Sequence, residues 1–450
     1  MKTCITLLLS VIFRIANAQQ ATDLKPDTLR MSVQECVDYA LQHQHNVKNT
    51  RLDAEIAKRK TQEYTGLSLP QINGSLEFTD FLKLPTSLIP GEFFGGEAGT
   101  FIPVKFGTQY NVTAGAQASQ LIFDGRYFLG LKASRALADQ AQLAVTGSEI
   151  DVVNTVMKAY LSTLINVERV KQLDANIDRL QKIFHDTKAQ FEAGFVEKLD
   201  VDRISVSYNN LLTERDNVRN SIALSYYLLK YNMGMNGNDG LLLTDSIRED
   251  DFQSVLQNAG TSDLNNRIEY QQLLTGLALS EMNVKQYKLE YLPTLYGFAS
   301  LSYQAQREKL NFFNNEAWYP TGIAGFKLSL PIFDGLQKAR QLQQAKLSVE
   351  KTNNDIEDFK NAVSLQVASA KTSLQNAISS LNTQRTNLDL AKEVVDISRK
   401  KFDQGVGSSL EVTNGESSLR EAQVNYLNAL YDAWVARIDL QKSLGTLYKK

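Results

Sequence analysis

The chain has 450 residues, 48 of them Lys or Arg and 50 Asp or Glu, and a net charge of −2 on so long a chain excludes the basic footprint of a nucleic-acid binder. Of its two cysteines only Cys36 lies outside the N-terminal segment described next, so no disulfide scaffold is expected. The three histidines leave little material for a metal site.

Lys2, an apolar run from Ile5 to Phe13 and the triplet Ala16-Asn17-Ala18 predict a secretory signal peptide over residues 1–18. The run is far below the roughly 20 apolar residues of a spanning helix. Gln19, not Cys, follows the expected cleavage point, so no lipid anchor is expected. Cys36 sits with Val33, Val37 and Ala40 on an amphipathic pattern and is expected to be a packed thiol, not a nucleophile. No later stretch approaches 18 consecutive apolar residues. That excludes a spanning helix but not a β-barrel, whose strands alternate only weakly.

Gln71 to Leu82 alternates Ile72, Leu76 and Phe78 with Asn73, Ser75, Glu77 and Thr79, and Gln109 to Ser119 alternates Tyr110, Val112, Ala114, Ala116 and Ala118 with polar or small residues. Both read as strands of the length that a tilted bilayer crossing needs. The connector Lys83 to Gly107 reads as an exposed loop; its Gly91, Gly95, Gly96 and Gly99 open no helix after a buried strand and are not a phosphate cradle. Then comes Ile122-Phe123-Asp124-Gly125. Here Asp124 is expected to cap a helix by accepting a backbone N–H, Gly125 to allow a change of direction, and Phe123 to plug the joint.

No proline occurs from 104 to 292 or from 332 to 450, which permits very long helices. In the first tract Ile150, Met157 and Leu164 interleave with Val153, Tyr160 and Val167, and Val170, Ile177, Phe184 and Phe191 continue the line after a slip of register. A second strand pair is expected over Thr294 to Gln304 and Thr321 to Leu330, joined by the loop Ala305 to Pro320. It ends on the second joint, Ile332-Phe333-Asp334-Gly335. Beyond it Val367, Leu374, Leu381, Leu388, Val395 and Phe402 recur every seven residues, with Val363, Ala370, Ala377, Ala391 and Ser398 as smaller companions. That is a coiled-coil-like seam with one narrow side. Helices on either tract would each be on the order of 100 Å long at 1.5 Å per residue.

The order repeats. Phe191-Glu192-Ala193-Gly194 corresponds to Phe402-Asp403-Gln404-Gly405, Asp200-Val201 to Glu411-Val412, Gly234 to Gly445, and Leu69-Pro70 to Leu292-Pro293. Each half reads as helix, strand, loop, strand, IFDG, long helix, tight turn, helix. The expected boundaries are a first repeat over 19–234 (strand hairpin 71–119, long helix 126–191, second helix 199–233), a connecting segment over 235–262, and a second repeat over 263–450 (hairpin 294–330, long helix 336–402, second helix 408–446). Four strands cannot span a bilayer alone, because an open sheet leaves backbone groups unpaired in lipid at several kcal/mol each. The sheet must close by oligomerisation. Two copies would give eight strands with a filled interior, and three would give twelve around a lumen.

These features together resemble the outer-membrane efflux protein family of TolC-like channels: the signal peptide, the duplicated order, LP before each hairpin, the IFDG joints and the F-x-x-G turns. The resemblance runs from about Ser32 to Tyr448. The fold it implies is an α+β membrane protein, a homotrimer with a 12-stranded β-barrel in the outer membrane, four strands per protomer, continued by a long periplasmic α-helical barrel. Leu241 to Gly260, which breaks both periodicities, is assigned to the family's equatorial belt. The resemblance also implies a channel working with outer-membrane lipid around it, a periplasmic adaptor protein and an inner-membrane transporter of RND, ABC or MFS type, without a cofactor.

By position the resemblance places the adaptor-docking turns at Gly194, Phe195, Gly405 and Val406, and a periplasmic gate at Asp200, Glu411 and Asn414. Repeated around a narrow opening, Asp200 and Glu411 would form rings favouring cations; the competing reading is that both merely favour a helix N-terminus. The second acid of the family is Asn414 here, and the Tyr and Arg that latch the closed tip in TolC-like members fall on Phe402 and Gly407. That latch is therefore absent.

Enzyme chemistry finds no footing. His43, His45 and His185 join no Cys or carboxylate at ligand spacing and are expected to be solvated on helix faces. No G-x-S-x-G, P-loop or H-E-x-x-H occurs. Two functions remain: a passive exit duct of a tripartite efflux or type I secretion system for small molecules or polypeptides, and a non-transport envelope coiled coil that spaces or tethers.

Overall fold

A computed structural model describes residues 28–260, 263–314 and 316–448, so the expected signal peptide lies outside the described residues. In chain order the elements are β1 (Leu29–Met31), α1 (Val33–His43), α2 (His45–Gly66), β2 (Gln71–Asp80), β3 (Thr86–Pro90), β4 (Phe101–Lys105), β5 (Tyr110–Phe123), α3 (Gly125–Glu192), α4 (Lys198–Met233), β6 (Leu241–Leu243), α5 (Phe252–Gln257), α6 (Ile268–Leu289), β7 (Thr294–Arg307), β8 (Tyr319–Ser329), α7 (Gln337–Asp403) and α8 (Ser409–Ser443). The chain divides into two units, a sheet unit of Leu52–Leu143 with Gln271–Asp358 and a helical unit of the remainder.

In the sheet unit four antiparallel strands lie in the order β2-β5-β7-β8. The two halves of the chain meet in the middle, where β5 pairs with β7 from Tyr110↔Arg307 to Leu121↔Tyr296 before a bulge at Leu121/Phe123. Directly opposed residues share a face, so the register sorts the side chains. Ile72, Leu76, Phe78, Val112, Leu301, Phe326 and Leu328 fall on one face. Asn73, Ser75, Glu77, Thr113, Gln117, Ser302, Gln304 and Lys327 fall on the other. The apolar face is not covered by the chain itself: Ile72 is 74% exposed, Leu76 77% and Phe326 77%. β2 and β8 are the sheet's two edges.

The connector after β2 is more than a loop. β3 and β4 pair from Thr86↔Lys105 to Pro90↔Phe101 around a 3₁₀ turn at Gly91–Phe94. Ile89, Ile102 and Val104 give this short run the β-branched content of strands. The glycines serve the turn, with φ of 79° at Gly95 and 86° at Gly99, which L side chains rarely adopt.

In the helical unit the seven-residue seam is realised. Val367, Leu374, Leu381, Leu388, Val395 and Phe402 are all buried. Leu374, Ile378 and Leu381 pack with Leu430, Ala433 and Leu440 of α8, and Leu388, Ala391 and Val395 pack with Leu419 and Ala422. On α3, Ile177, Leu180 and Ile183 pack with Ile204, Leu211 and Val218 of α4. Phe402 and Val412 join this same cluster from α7 and α8. Phe184 is half-buried and Phe191, last on the expected line, is exposed where α3 ends.

At the other end of α4, β1 and β6 form a parallel pair, and Ser32 caps α1 in a reciprocal box with Glu35. Cys36 is fully buried among Val37, Val156 and Tyr160. Burial, with the charges of Asp245 and Glu35, pushes its thiol up to about 12. It is an inert packed thiol.

Candidate functional site

Both helix-to-helix turns close in the same way. In the first, Gly194 has φ of 82° and Phe195 N–H donates to Gln190 O at 2.9 Å; in the second, Gly405 has φ of 73° and Val406 N–H donates to Lys401 O at 3.0 Å. These are left-handed glycine caps that satisfy the last helical carbonyls. Each glycine is followed by an apolar side chain held in solvent, Phe195 at 82% exposure and Val406 at 77%. Burial cannot explain why such residues stand there, so they are candidates for contact with another chain.

The acids after the turns differ in setting. Asp200 is half-buried: its Oδ2 accepts Glu197 N–H at 3.3 Å, its Oδ1 accepts the Ser409 hydroxyl, and Arg203 stands at 3.8 Å. Glu411 is exposed, as is Asn414; the Glu411 backbone N–H donates to Ser408 Oγ at 3.2 Å. Ser408 and not Glu411 therefore caps α8, which leaves the Glu411 carboxylate available to the surroundings of the turn. Asp200 both caps and ties.

Ser409 is the residue that sequence reasoning missed. One serine suffices to cap a helix, and the doublet Ser408-Ser409 was the only signal that the second had another use. It joins the first turn to the second. Phe402 is packed beside Ile204 and Val412, so packing also holds the two turns together. At Gly407 a Cβ would come within 2.9 Å of Lys401 Cβ and Phe402 N, so this turn has no room for a side chain there.

Further along, a second tie joins α3 to α8. The nearly buried Glu416 accepts from Arg179 Nε and Nη2, each at 3.3 Å, and Asn176 donates to Gln423 at 2.7 Å. A buried carboxylate needs such a partner, since unpaired it would cost several kcal/mol.

The strand–helix joints of the sheet unit are unlike each other. At the first, Asp124 is buried, accepts Arg126 N–H at 2.8 Å and takes Arg126 Nη2 at 2.7 Å, and α3 starts at Gly125 with no positive φ. At the second, β8 ends at Ser329, Asp334 accepts Lys338 N–H at 3.1 Å, and Gly335 and Leu336 have φ of 66° and 67°. So both aspartates cap, but only Gly335 supplies a left-handed turn, and the second IFDG does not itself end a strand. The expected plugs are absent within the chain: Phe123 is 42% exposed and Phe333 82%. Phe333 lies beyond the end of the ladder, which closes at Thr294↔Ser329 where β7 itself begins, so the phenylalanine is never set against the sheet.

His45 and His185 are exposed, whereas His43 is half-buried and stacks on Tyr39 at 4.0 Å between centroids, which departs from the solvated reading. Among the described residues no group of His, Cys, Asp or Glu could hold a metal ion.

The family model described as outer membrane efflux protein matches residues 37–226 and 263–446. The outer membrane protein TolC of Salmonella enteritidis is 21% identical over 342 residues, covering 74% of this chain and 69% of that protein. The solved structure of VceC from Vibrio cholerae superposes with a TM-score of 0.71 at 15% identity, covering 92% of this chain and 96% of that one. The CmeC outer membrane channel of Campylobacter jejuni gives 0.70 at 15% identity, with 93% and 86% covered. At such identities the structural likeness shows the fold.

Proposed function

We propose, proceeding from the fact that the chain belongs to the outer membrane efflux protein family, that it is the passive exit duct of a tripartite efflux or type I secretion system. As a member of that family it is an outer-membrane channel protein of efflux or secretion, extending into the periplasm, and the family's proteins are channels and not enzymes.

The observation that carries the finer reading is the four-stranded sheet with one apolar face, one polar face and two strand edges at β2 and β8. In lipid those edges must pair. Joining β2 of one copy to β8 of the next in a homotrimer gives twelve strands, enough for a lumen, with polar faces inward and apolar faces on lipid. Phe78, stacked on Tyr110 at 6.2 Å and met by Phe312 at 6.1 Å, suits the aromatic girdle of such a barrel. The matched order of elements in the two halves supports an internal duplication. A tether has no use for a two-faced sheet.

In this reading the long helices α3 and α7 with their partners line a periplasmic tunnel, and the turns bearing Gly194, Phe195, Gly405 and Val406 form its tip. Phe195 and Val406 offer apolar contacts to a periplasmic adaptor, which couples the duct to an inner-membrane transporter of RND, ABC or MFS type. Asp200, Glu411 and Asn414 ring the opening, Glu411 as its charge and Asp200 chiefly as a tie to Ser409. Export then needs no chemistry from this chain, only passage.

The reading is tested by conductance of the purified protein in planar bilayers. Glu411→Ala is expected to lower cation preference, and Ser409→Ala to raise the open fraction by releasing Asp200. Absence of any conductance in the wild type and in both variants would overturn the duct.

A further inference from the structure

We propose that a pocket in the helical unit, under residues Thr244–Arg248, binds small hydrophobic ammonium compounds. This site is separate from the turns and does not depend on the duct reading. The pocket has a volume of about 540 Å³, and its walls include Val33, Met157, Leu161, Leu164, Ile247 and Trp434. That is the size and composition of a small-molecule site, an apolar wall with few polar groups.

The polar group is Asp245. Its Oδ2 accepts two bonds, from Tyr160 Oη at 2.9 Å and from Val33 N–H at 2.8 Å. These fix the carboxylate in place. Burial, reinforced by the bond to Asp245, pushes the Tyr160 hydroxyl up, so it stays a neutral donor. Asp245 Oδ1 accepts no bond among the described residues, and no lysine or arginine among them forms an ion pair with Asp245. Arg248 lies on the rim, but its Nε turns to Ser246 Oγ at 3.1 Å. The site therefore presents one positioned anionic oxygen at the edge of an apolar cavity.

A ligand that satisfies both features has an apolar body and a cationic donor. The ammonium meets Oδ1 as a charge-assisted bond while the body displaces water from the Leu161 and Leu164 wall. Trp434 contributes surface and not a cation–π face on both sides, because the Arg437 guanidinium already lies 5.0 Å from its ring centre. The pocket roof is held independently of any ligand, since Trp434 Nε1 donates to Arg248 O at 3.1 Å and Glu249 accepts from Arg385 and Tyr426 at 2.8 Å each. The site is thus preformed, which lowers the ordering cost of binding.

The experiment titrates the full-length oligomer, in lipid nanodiscs, with 4-phenylbutylammonium and with its uncharged counterpart 4-phenylbutanol, and reads heat and tryptophan fluorescence. Saturable binding of one ammonium per chain is expected, with the alcohol about tenfold weaker, the usual gap between a charged and a neutral hydrogen bond. Asp245→Asn keeps the acceptors for Tyr160 and Val33 and removes the charge; it should weaken the ammonium to the level of the alcohol and leave the alcohol unchanged. Ser246→Phe fills the mouth and should abolish both; because it also frees Arg248 from Ser246 Oγ, it is loss of the uncharged alcohol that marks occlusion and not a neutralised carboxylate. Equal ammonium affinity in wild type and Asp245→Asn, survival of binding in Ser246→Phe, or non-saturable partition alone would each overturn the site. Conductance of the same variants is expected to be unaltered, so failure of this site and failure of the duct are read separately.

Discussion

At the first IFDG the strand β5 runs through Phe123 and α3 begins two residues later; at the second, β8 has already ended at Ser329 and α7 does not start until Gln337. The tetrapeptides are identical, so the difference comes from their neighbours. Leu121 pairs with Tyr296 in the ladder, whereas its counterpart Pro331 lies beyond the end of β8 and has no N–H. Arg126 folds back onto Asp124 through Nε and Nη2 at 3.0 and 2.7 Å, while its counterpart Leu336 has nothing to offer Asp334. The chain reaches α7 instead through two successive left-handed residues, one of them not glycine. One joint is a rigid buried cap and the other a strained bend.

The sharpest way to break this comparison is Arg126→Ala, which strands the buried Asp124 carboxylate. A loss of about 2 kcal/mol is expected in thermal melting of the purified oligomer, discounted from the fully buried value because Arg126 is partly exposed. Next comes Gly335→Ala, expected to cost about 1 kcal/mol because its left-handed backbone suits glycine. Its counterpart Gly125→Ala should be nearly neutral: helix propensity improves while the new Cβ meets Leu289 and Leu292 at 3.3 Å. Leu336→Gly should stabilise by somewhat under about 1 kcal/mol, by relieving the left-handed leucine. Lys338→Ala is expected to cost under about 0.5 kcal/mol, since its ammonium stands 3.9 Å from Asp334. Equal melting losses for Arg126→Ala and Lys338→Ala would show that the two joints are energetically alike after all.

Much of the architecture was legible where a period repeats over many residues. The heptad positions from Val367 to Phe402 are buried as their spacing demands, and the alternation in β2, β5, β7 and β8 sorts into one apolar and one polar face. The glycine caps of the two turns were legible too, because a left-handed residue after a helix has few alternatives. Short elements were not: β3 and β4 are five residues each, too brief for alternation to rise above a Gly- and Phe-rich background. The ties were least legible. Ser409 and Asp200 are 209 residues apart, and Arg179 and Glu416 are 237 apart, distances over which spacing carries no information.

By itself the sequence determined the long elements and their order, since strand alternation, the heptad seam, proline placement and helix caps are local properties of adjacent residues. It also led to the expectation that another chain completes the sheet, because four amphipathic strands leave two edges. Only the tertiary structure decided which partners the polar groups take. Asp200 could have been a free gate charge and is tied to Ser409; Asp124 and Asp334 could have been equals and are not; Asp245 is exposed, yet its carboxylate is held by Tyr160 and Val33 at the mouth of an apolar pocket. The physical reason is that hydrogen bonds and ion pairs depend on ångström-scale positions, which packing sets only after distant segments of the chain have been brought together.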